Sequence, residues 1–288
     1  MRNHHSSFSV GQMACVLGVS PSGYYDFLKR PLSLREKTNQ ALVKQIKAIF
    51  KESFHTYGSP RVHAELRAQG YSCSRNKVAG LMRDEGLQAK MYKKFKKTTR
   101  QSEKPSYKGQ DLVQRHFYAP QPNRLWVADI SYLRVNNKWA YLAIVLDLFS
   151  RKVVGMALEN HMKVDLILKA LTSALSQRRP PSGLIHHSDL GSQFTSHAFY
   201  QLAKEKGITL SHGRTGSAYD NDAMESFFHT LKTELTHFKT YQTIQEARLD
   251  IFTYIHTFYN SKRRHSTLNY QSPNQWERSF QLINSISV

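Results

Sequence analysis

After Asn123 the rhythm of this 288-residue sequence changes from helical to extended. RLWVADISYLRV is rich in β-branched and aromatic residues, NNK supplies a turn, and WAYLAIVLDLFS followed by RKVVGMALE continues the pattern. Such runs read as three consecutive antiparallel strands. A helix is expected near Val164 to Gln177, and a short apolar strand in GLIHHSD that ends at Asp189. A helix over about Ser196 to Lys206, a short strand at ITLS and a helix from about Asp222 onward follow. Strands that run first as a meander and then alternate with helices give a mixed sheet flanked by helices.

The part before Asn123 is helical. In GQMACVLGVSPSGYYDFLK, Met13, Val16 and Leu17 suit one amphipathic turn, Gly18 a tight turn, and Ser20-Pro21 a cap followed by proline at the first helical position. This is a helix-turn-helix pattern, assigned to residues 1–36. A second such unit, residues 37–90, holds a helix around Ala41 to Phe50, then SPRVHAELRAQG, then SRNKVAGLMRDEG. Ser74 is its expected N-cap, with Val78, Leu81 and Met82 turned inward. Arg75, Asn76 and Lys77 stand at the exposed helix start, where a recognition helix presents side chains to base edges. Residues 91–123, with Lys93, Lys94, Lys96 and Lys97, read as a basic linker. The strand-rich region then occupies 124–288.

Charge narrows the function. The chain carries 41 Lys and Arg against 21 Asp and Glu, a formal net charge of +20. The imbalance is steepest ahead of the strands, where residues 1–123 hold 22 basic and 8 acidic side chains. A polyanion is the expected partner. The two cysteines, Cys15 and Cys73, form no C-x-x-C pair, which disfavours a disulfide framework and a cysteine zinc site. There is no apolar run of membrane-spanning length and no signal-peptide pattern in MRNHHSSFSV, so a cytoplasmic location is expected.

Against this background the stretch YDNDAMESFFHTLKTEL stands out, with Asp220, Asp222, Glu225 and Glu234. Asp129, inside the apolar run WVADISYL, is equally conspicuous, because a buried aspartate costs several kcal/mol unless something pairs with it. Either a basic side chain or a divalent cation answers that need. Oxygen-only ligands favour Mg²⁺ or Mn²⁺ over zinc. Asp129 and Asp189 are separated by 59 residues, Asp189 and Glu225 by 35, and each acid sits in its own motif: WVADISY, HHSDLGSQF and YDNDAMESFFHTLKTE.

With these motifs the sequence resembles the retroviral-integrase-like DDE transposases, most closely the downstream-frame (OrfB) proteins of the insertion-sequence-three family. YGSPRVHAEL is similar to that family's second helix-turn-helix unit, and FYNSKRRHSTLNYQSPNQW to the stretch that closes its catalytic domain. The resemblance implies a ribonuclease-H-like integrase core in which Asp129, Asp189 and Glu225 are the catalytic triad and the ligands of Mg²⁺ or Mn²⁺, two ions per site. It implies a bacterial transposase, acting at the nucleoid, that binds the terminal inverted repeats of a mobile element and target DNA as a homo-oligomer. Cleavage by water and joining of the freed 3′-hydroxyl to another phosphodiester would follow.

Lys232 lies seven residues beyond Glu225 and so on the same helix face, placed to reach a phosphate. Arg61 in YGSPRVHAEL, and Arg263 and Arg264 in the closing motif, are further expected DNA contacts. Leu190, Gly213 and Asp222 depart from the family's usual residues, and Asp222 is expected to cap its helix. His186, His187 and His229 are read as packing or hydrogen-bonding groups. Two alternatives remain open: a retroviral-type integrase, which the separated cysteines disfavour, and a non-catalytic DNA-binding regulator derived from a transposase, which the intact triad disfavours.

Overall fold

The structure, a computed structural model, describes residues 1–90, 110–114, 116–213 and 222–286. Lys93, Lys94, Lys96, Lys97 and Asp220 lie outside the described residues. Five helices open the chain: α1 (Val10–Val16), α2 (Pro21–Lys29), α3 (Leu34–Glu52), α4 (Ser59–Ala68) and α5 (Arg75–Asp84). The helix expected around Ala41 to Phe50 is longer at both ends. It begins at Leu34 because Ser33 and Glu36 cap each other: the Ser33 hydroxyl accepts from the Glu36 amide at 3.2 Å, and the Glu36 carboxylate accepts from the Ser33 amide at 2.8 Å. Ser20 and Ser74 cap α2 and α5 as expected.

The meander is present as β1 (Leu125–Val135), β2 (Lys138–Asp147) and β3 (Lys152–Glu159). Asn136 and Asn137 both take positive φ, the left-handed pair that a two-residue hairpin turn requires. β4 (Ile185–Ser188) and β5 (Thr209–His212) add in parallel, giving the sheet order β3-β2-β1-β4-β5. The expected mixed sheet is therefore observed.

One face of the sheet is covered by α6 (Val164–Arg178) and α7 (His197–Glu205), whose Leu166, Ile167 and Phe199 join Trp126, Ala128 and Val145 in one core. α6 approaches β3 so closely that a Cβ on Gly155 would lie 2.3 Å from the Ala170 carbonyl oxygen. The other face carries α8 (Asp222–Glu234) and α9 (Ile244–Thr253), which runs on into a π-helical stretch, Tyr254–Tyr259. A last helix, α10 (Pro273–Ile286), is tied to the sheet through Glu277, which accepts from Arg178, Lys152 and the Ser150 hydroxyl.

The second core is not confined to the strand region. Leu42, Ile46, Phe50, Val62 and Leu66 of the second helical unit pack in the same apolar cluster as Phe228, Tyr254 and Phe258. Phe54 and His55 take left-handed conformations in the loop between α3 and α4, and Phe54 meets the Phe258 ring edge-on at 5.0 Å. By contrast α1 and α2 bury only Ala14 and leave Val16, Leu17 and Phe27 exposed. From Gln110 the chain lies along β5: Gln110 accepts from the His212 amide, the Ser211 hydroxyl accepts from the Leu112 amide at 3.0 Å, and Phe117 packs edge-on against His187.

Candidate active site

Asp129 sits in the middle of β1 opposite Ile144 of β2. Alternation along the strand turns it to the side of Val127 and Leu133, the face that α8 covers. Its Oδ1 accepts from the Ile130 amide at 2.7 Å. Asp189 follows the last residue of β4, and the parallel pairing of Val127 with His187 brings that strand end beside Asp129. The Gly191 amide donates to Asp189 Oδ1 at 3.0 Å, and a Cβ on Gly191 would stand 2.9 Å from the same oxygen. A side chain at 191 would make the Asp189 carboxylate turn from this position. Glu225 is exposed in the first turn of α8, which packs on β1.

These positions produce one electrostatic neighbourhood. Burial, and then the charge of Asp189, push the Asp129 carboxyl up to about 7; Glu225 adds to the rise, while the Ile130 amide and Lys232 oppose it. Among the described residues, no three His, Cys, Asp or Glu side chains are gathered closely enough to hold an ion as they stand. The donor chemistry nevertheless fits a hard cation: all three groups are carboxylates, and Asp129 resists ionisation until positive charge arrives. Lys232 is half-buried, with Nζ 5.1 Å from the centre of the Tyr132 ring; burial lowers its pKa and the Asp129 charge counters that.

His186 packs and His187 both packs and hydrogen-bonds, as expected. His186 lies against Phe199 and Phe194, and burial, followed by His212 and His187, pushes it down to about 3, so it is neutral. His187 Nδ1 is 2.9 Å from the Ser211 hydroxyl. The Ser188 hydroxyl donates to the Asp189 carbonyl at 3.0 Å, and His212 Nδ1 lies 3.3 Å from the same oxygen, which anchors the backbone at Asp189. His229 is exposed.

Three expected DNA contacts are differently employed. Arg263 is buried and grips Glu234 through Nη2 at 2.7 Å and Nε at 2.8 Å, so its charge is satisfied inside the protein and is turned away from solvent. Arg264 donates to Glu65 at 2.6 Å and to the Tyr270 carbonyl at 3.0 Å, with its amide donating to the Tyr57 hydroxyl. Arg61 is half-buried, 3.8 Å from Glu234. Arg61 and Arg264 tie the second helical unit to the strand-bearing region, whereas Arg263 joins two parts of that region, the end of α8 and the chain after the π-helical stretch. Asp222 is the first residue of α8 itself and not the residue before it, so it contributes to the acidic first turn. Arg75 and Asn76 are exposed and Lys77 half-buried at the start of α5.

Sequence reasoning passes over Gly191, Tyr132 and the Glu234–Arg263 pair. A signal exists for the last, since an acid flanked by Leu231 and Leu235 on a helix points inward.

The mixed sheet carries acids on β1, just past β4 and on α8, and the family matches identify the chain as an integrase-core polynucleotidyl transferase of the DDE type. Residues 119–218 match the integrase core domain, 225–280 a second integrase core domain family, and 37–95 an HTH-like domain. Transposase InsF for insertion sequence IS3A of Escherichia coli (strain K12) is 37% identical over 279 residues, 96% of each chain. The insertion element IS600 uncharacterized 31 kDa protein of Shigella sonnei is 37% identical over 262 residues, covering 91% of this chain and 96% of that one. A chain of the simian T-cell lymphotropic virus intasome, solved in complex with PP2A regulatory subunit B56 gamma, is 15% identical with a TM-score of 0.48, over 77% of this chain and 70% of that one. The chain belongs to the InsF-type transposases of the IS3 family, and it is a DNA transposase. That full-length match sets aside the retroviral-type integrase alternative. Among the described residues no helix is long and apolar enough to cross a membrane.

Proposed function

We propose that this transposase recognises the terminal inverted repeats of its element through the helical units, cleaves one strand there, and joins the freed 3′-hydroxyl to target DNA at the site of Asp129, Asp189 and Glu225. The observation that carries the reading is the state of Asp129: a strand carboxyl pushed up to about 7 by burial and by its acidic neighbours, which only added positive charge would relieve. Asp129, Asp189 and Glu225 would hold Mg²⁺ or Mn²⁺, two ions by the family resemblance. Bound there, the metal supplies charge to the scissile phosphate and lowers the pKa of the attacking hydroxyl.

The other side chains position. The Ile130 and Gly191 amides fix one oxygen each of Asp129 and Asp189, limiting the directions in which those carboxylates can turn. Lys232, beside Asp129 and half-buried, binds a phosphate next to the scissile one. Arg75, Asn76 and Lys77 supply base contacts from α5, with the lysines of the linker on the phosphates. The working division is 1–36 and 37–90 as DNA-binding units, 91–123 as connector and 124–288 as catalytic core. Two copies or more act together on paired element ends, at the nucleoid.

The test is strand transfer with labelled duplexes carrying the element's own end or a scrambled one. The proposal expects Mg²⁺- or Mn²⁺-dependent products from the true end alone, absent for Asp129→Asn, Asp189→Asn and Glu225→Gln, which should still bind. Binding without products in the unmodified protein under every metal tried would favour the non-catalytic regulator.

A further inference from the structure

β4 pairs with β1 only from Leu125 to Val127, and the next described pairing on that edge is the bridge between Val135 and Tyr241. Between them β1 has β2 on one side alone. Lys232 stands at this opening and reaches Tyr132, which alternation places on the opposite face from Asp129. From there a continuous ladder runs outward. Lys232 Nζ is 5.1 Å from the Tyr132 ring, Tyr132 meets Trp139 edge-on at 5.0 Å and 85°, and the Arg134 guanidinium lies 5.0 Å from the Trp139 ring.

Cross-strand packing explains part of this, because Trp139 is directly opposite Arg134 in the hairpin. It does not explain the exposure. Trp126 is fully buried, whereas Trp139 is 48% exposed, with Arg134, Asn136, Asn137 and Lys138 also open to solvent. No acid occurs in the hairpin from Ile130 to Leu146, and the aromatic pair is flanked by the cations Lys232 and Arg134, the nearest acid across the sheet being Glu159 opposite Tyr141. Aromatic rings between cations that track a backbone are the arrangement that holds unpaired nucleic acid, because every base offers a π-face. At about 3.4 Å per strand residue, Tyr132 is roughly 10 Å and Arg134 roughly 17 Å along β1 from Asp129.

We propose that Tyr132 and Trp139 form a stacking platform for unpaired bases next to the phosphate held at the carboxylate site, with Lys232 and Arg134 gripping the intervening phosphates. The assignment of that strand rests on the transposase reading of the acids. The platform takes a single-stranded segment opened at the element end. A duplex presents its bases edge-on within the grooves and cannot stack there without unpairing.

The experiment uses the full chain with Trp139→Leu and Trp139→Phe. Binding to oligothymidylate is measured by fluorescence anisotropy in EDTA, so this arm reads stacking without requiring cleavage. Trp139→Leu should weaken it about tenfold or more, and Trp139→Phe, which keeps a ring, should restore most of the loss. In the second arm, strand transfer by Trp139→Leu should fall on fully paired element ends and fall less on ends whose last three pairs are mismatched. Oligothymidylate affinity unchanged in Trp139→Leu, or equally weakened in Trp139→Phe, would overturn the platform, as would an equal loss on random duplex. If the unmodified protein transfers no end of any kind, the catalytic reading fails, while the EDTA arm still decides whether the platform binds unpaired bases.

Discussion

Removing Arg263 should injure the fold and not the grip on DNA. Its guanidinium makes three contacts with Glu234, at 2.7, 2.8 and 3.0 Å, and both side chains are only 4% exposed. Burial works against the arginine's charge, yet the Glu234 carboxylate more than offsets this and holds the pKa above its usual value. Arg263→Ala would leave the carboxylate buried with the Tyr254 hydroxyl at 2.7 Å and Arg61 at 3.8 Å as remaining partners. Breaking a buried pair costs about 3–5 kcal/mol, and those residual contacts favour the lower figure. For a chain of this size, ~3 kcal/mol lowers the melting midpoint by roughly 6–12 °C. Adding Glu234→Gln should recover about 1–2 kcal/mol, since a neutral amide still accepts from Tyr254. Differential scanning fluorimetry on both variants, with salt-dependent DNA binding, reads the outcome. An unchanged midpoint in Arg263→Ala, together with weaker binding and a shallower salt slope, would mean that the guanidinium faces DNA after all.

Gly191→Ala would turn the Asp189 carboxylate away from a methyl group otherwise 2.9 Å from its Oδ1, and should reduce strand transfer at least about tenfold with little change in melting; wild-type activity would deny Gly191 its positioning role. Asp129, raised in the folded protein to about 7 from about 3.9 when unfolded, favours the fold fully below about pH 4, and that contribution is lost as pH rises through 7. In EDTA, Asp129→Asn should therefore gain on the wild type between pH 4 and 7, by on the order of 4 kcal/mol, and melting curves showing a pH-independent difference would refute it. Arg75→Ala with Lys77→Ala should weaken binding to the element end more than to random duplex; equal losses in a gel-shift titration would reduce both to phosphate contacts.

The β1–β3 meander is legible because its runs are rich in β-branched and aromatic residues and its Asn-Asn pair tolerates the left-handed turn between them. The acids are legible because an aspartate inside an apolar strand demands a partner wherever the chain carries it. Arg263 is opaque for the opposite reason. Arginine is usually solvated, and only the return of the chain after the π-helical stretch sets it over Glu234, 29 residues away. The docking of the second helical unit is equally hidden, since Phe54 and Phe258 meet across more than two-thirds of the sequence. Gly191 reveals itself only when a Cβ is placed against Asp189.

The role of the carboxylates is tested most directly by counting metal. Mn²⁺ bound to the full chain on its element-end DNA can be titrated by electron paramagnetic resonance, for the wild type, Asp129→Asn, Asp189→Asn and Glu225→Gln. The expected result is two ions per site in the wild type, with at least one lost in each variant while DNA remains bound. The same Mn²⁺ stoichiometry and affinity in Asp129→Asn as in the wild type would contradict the assignment of this site.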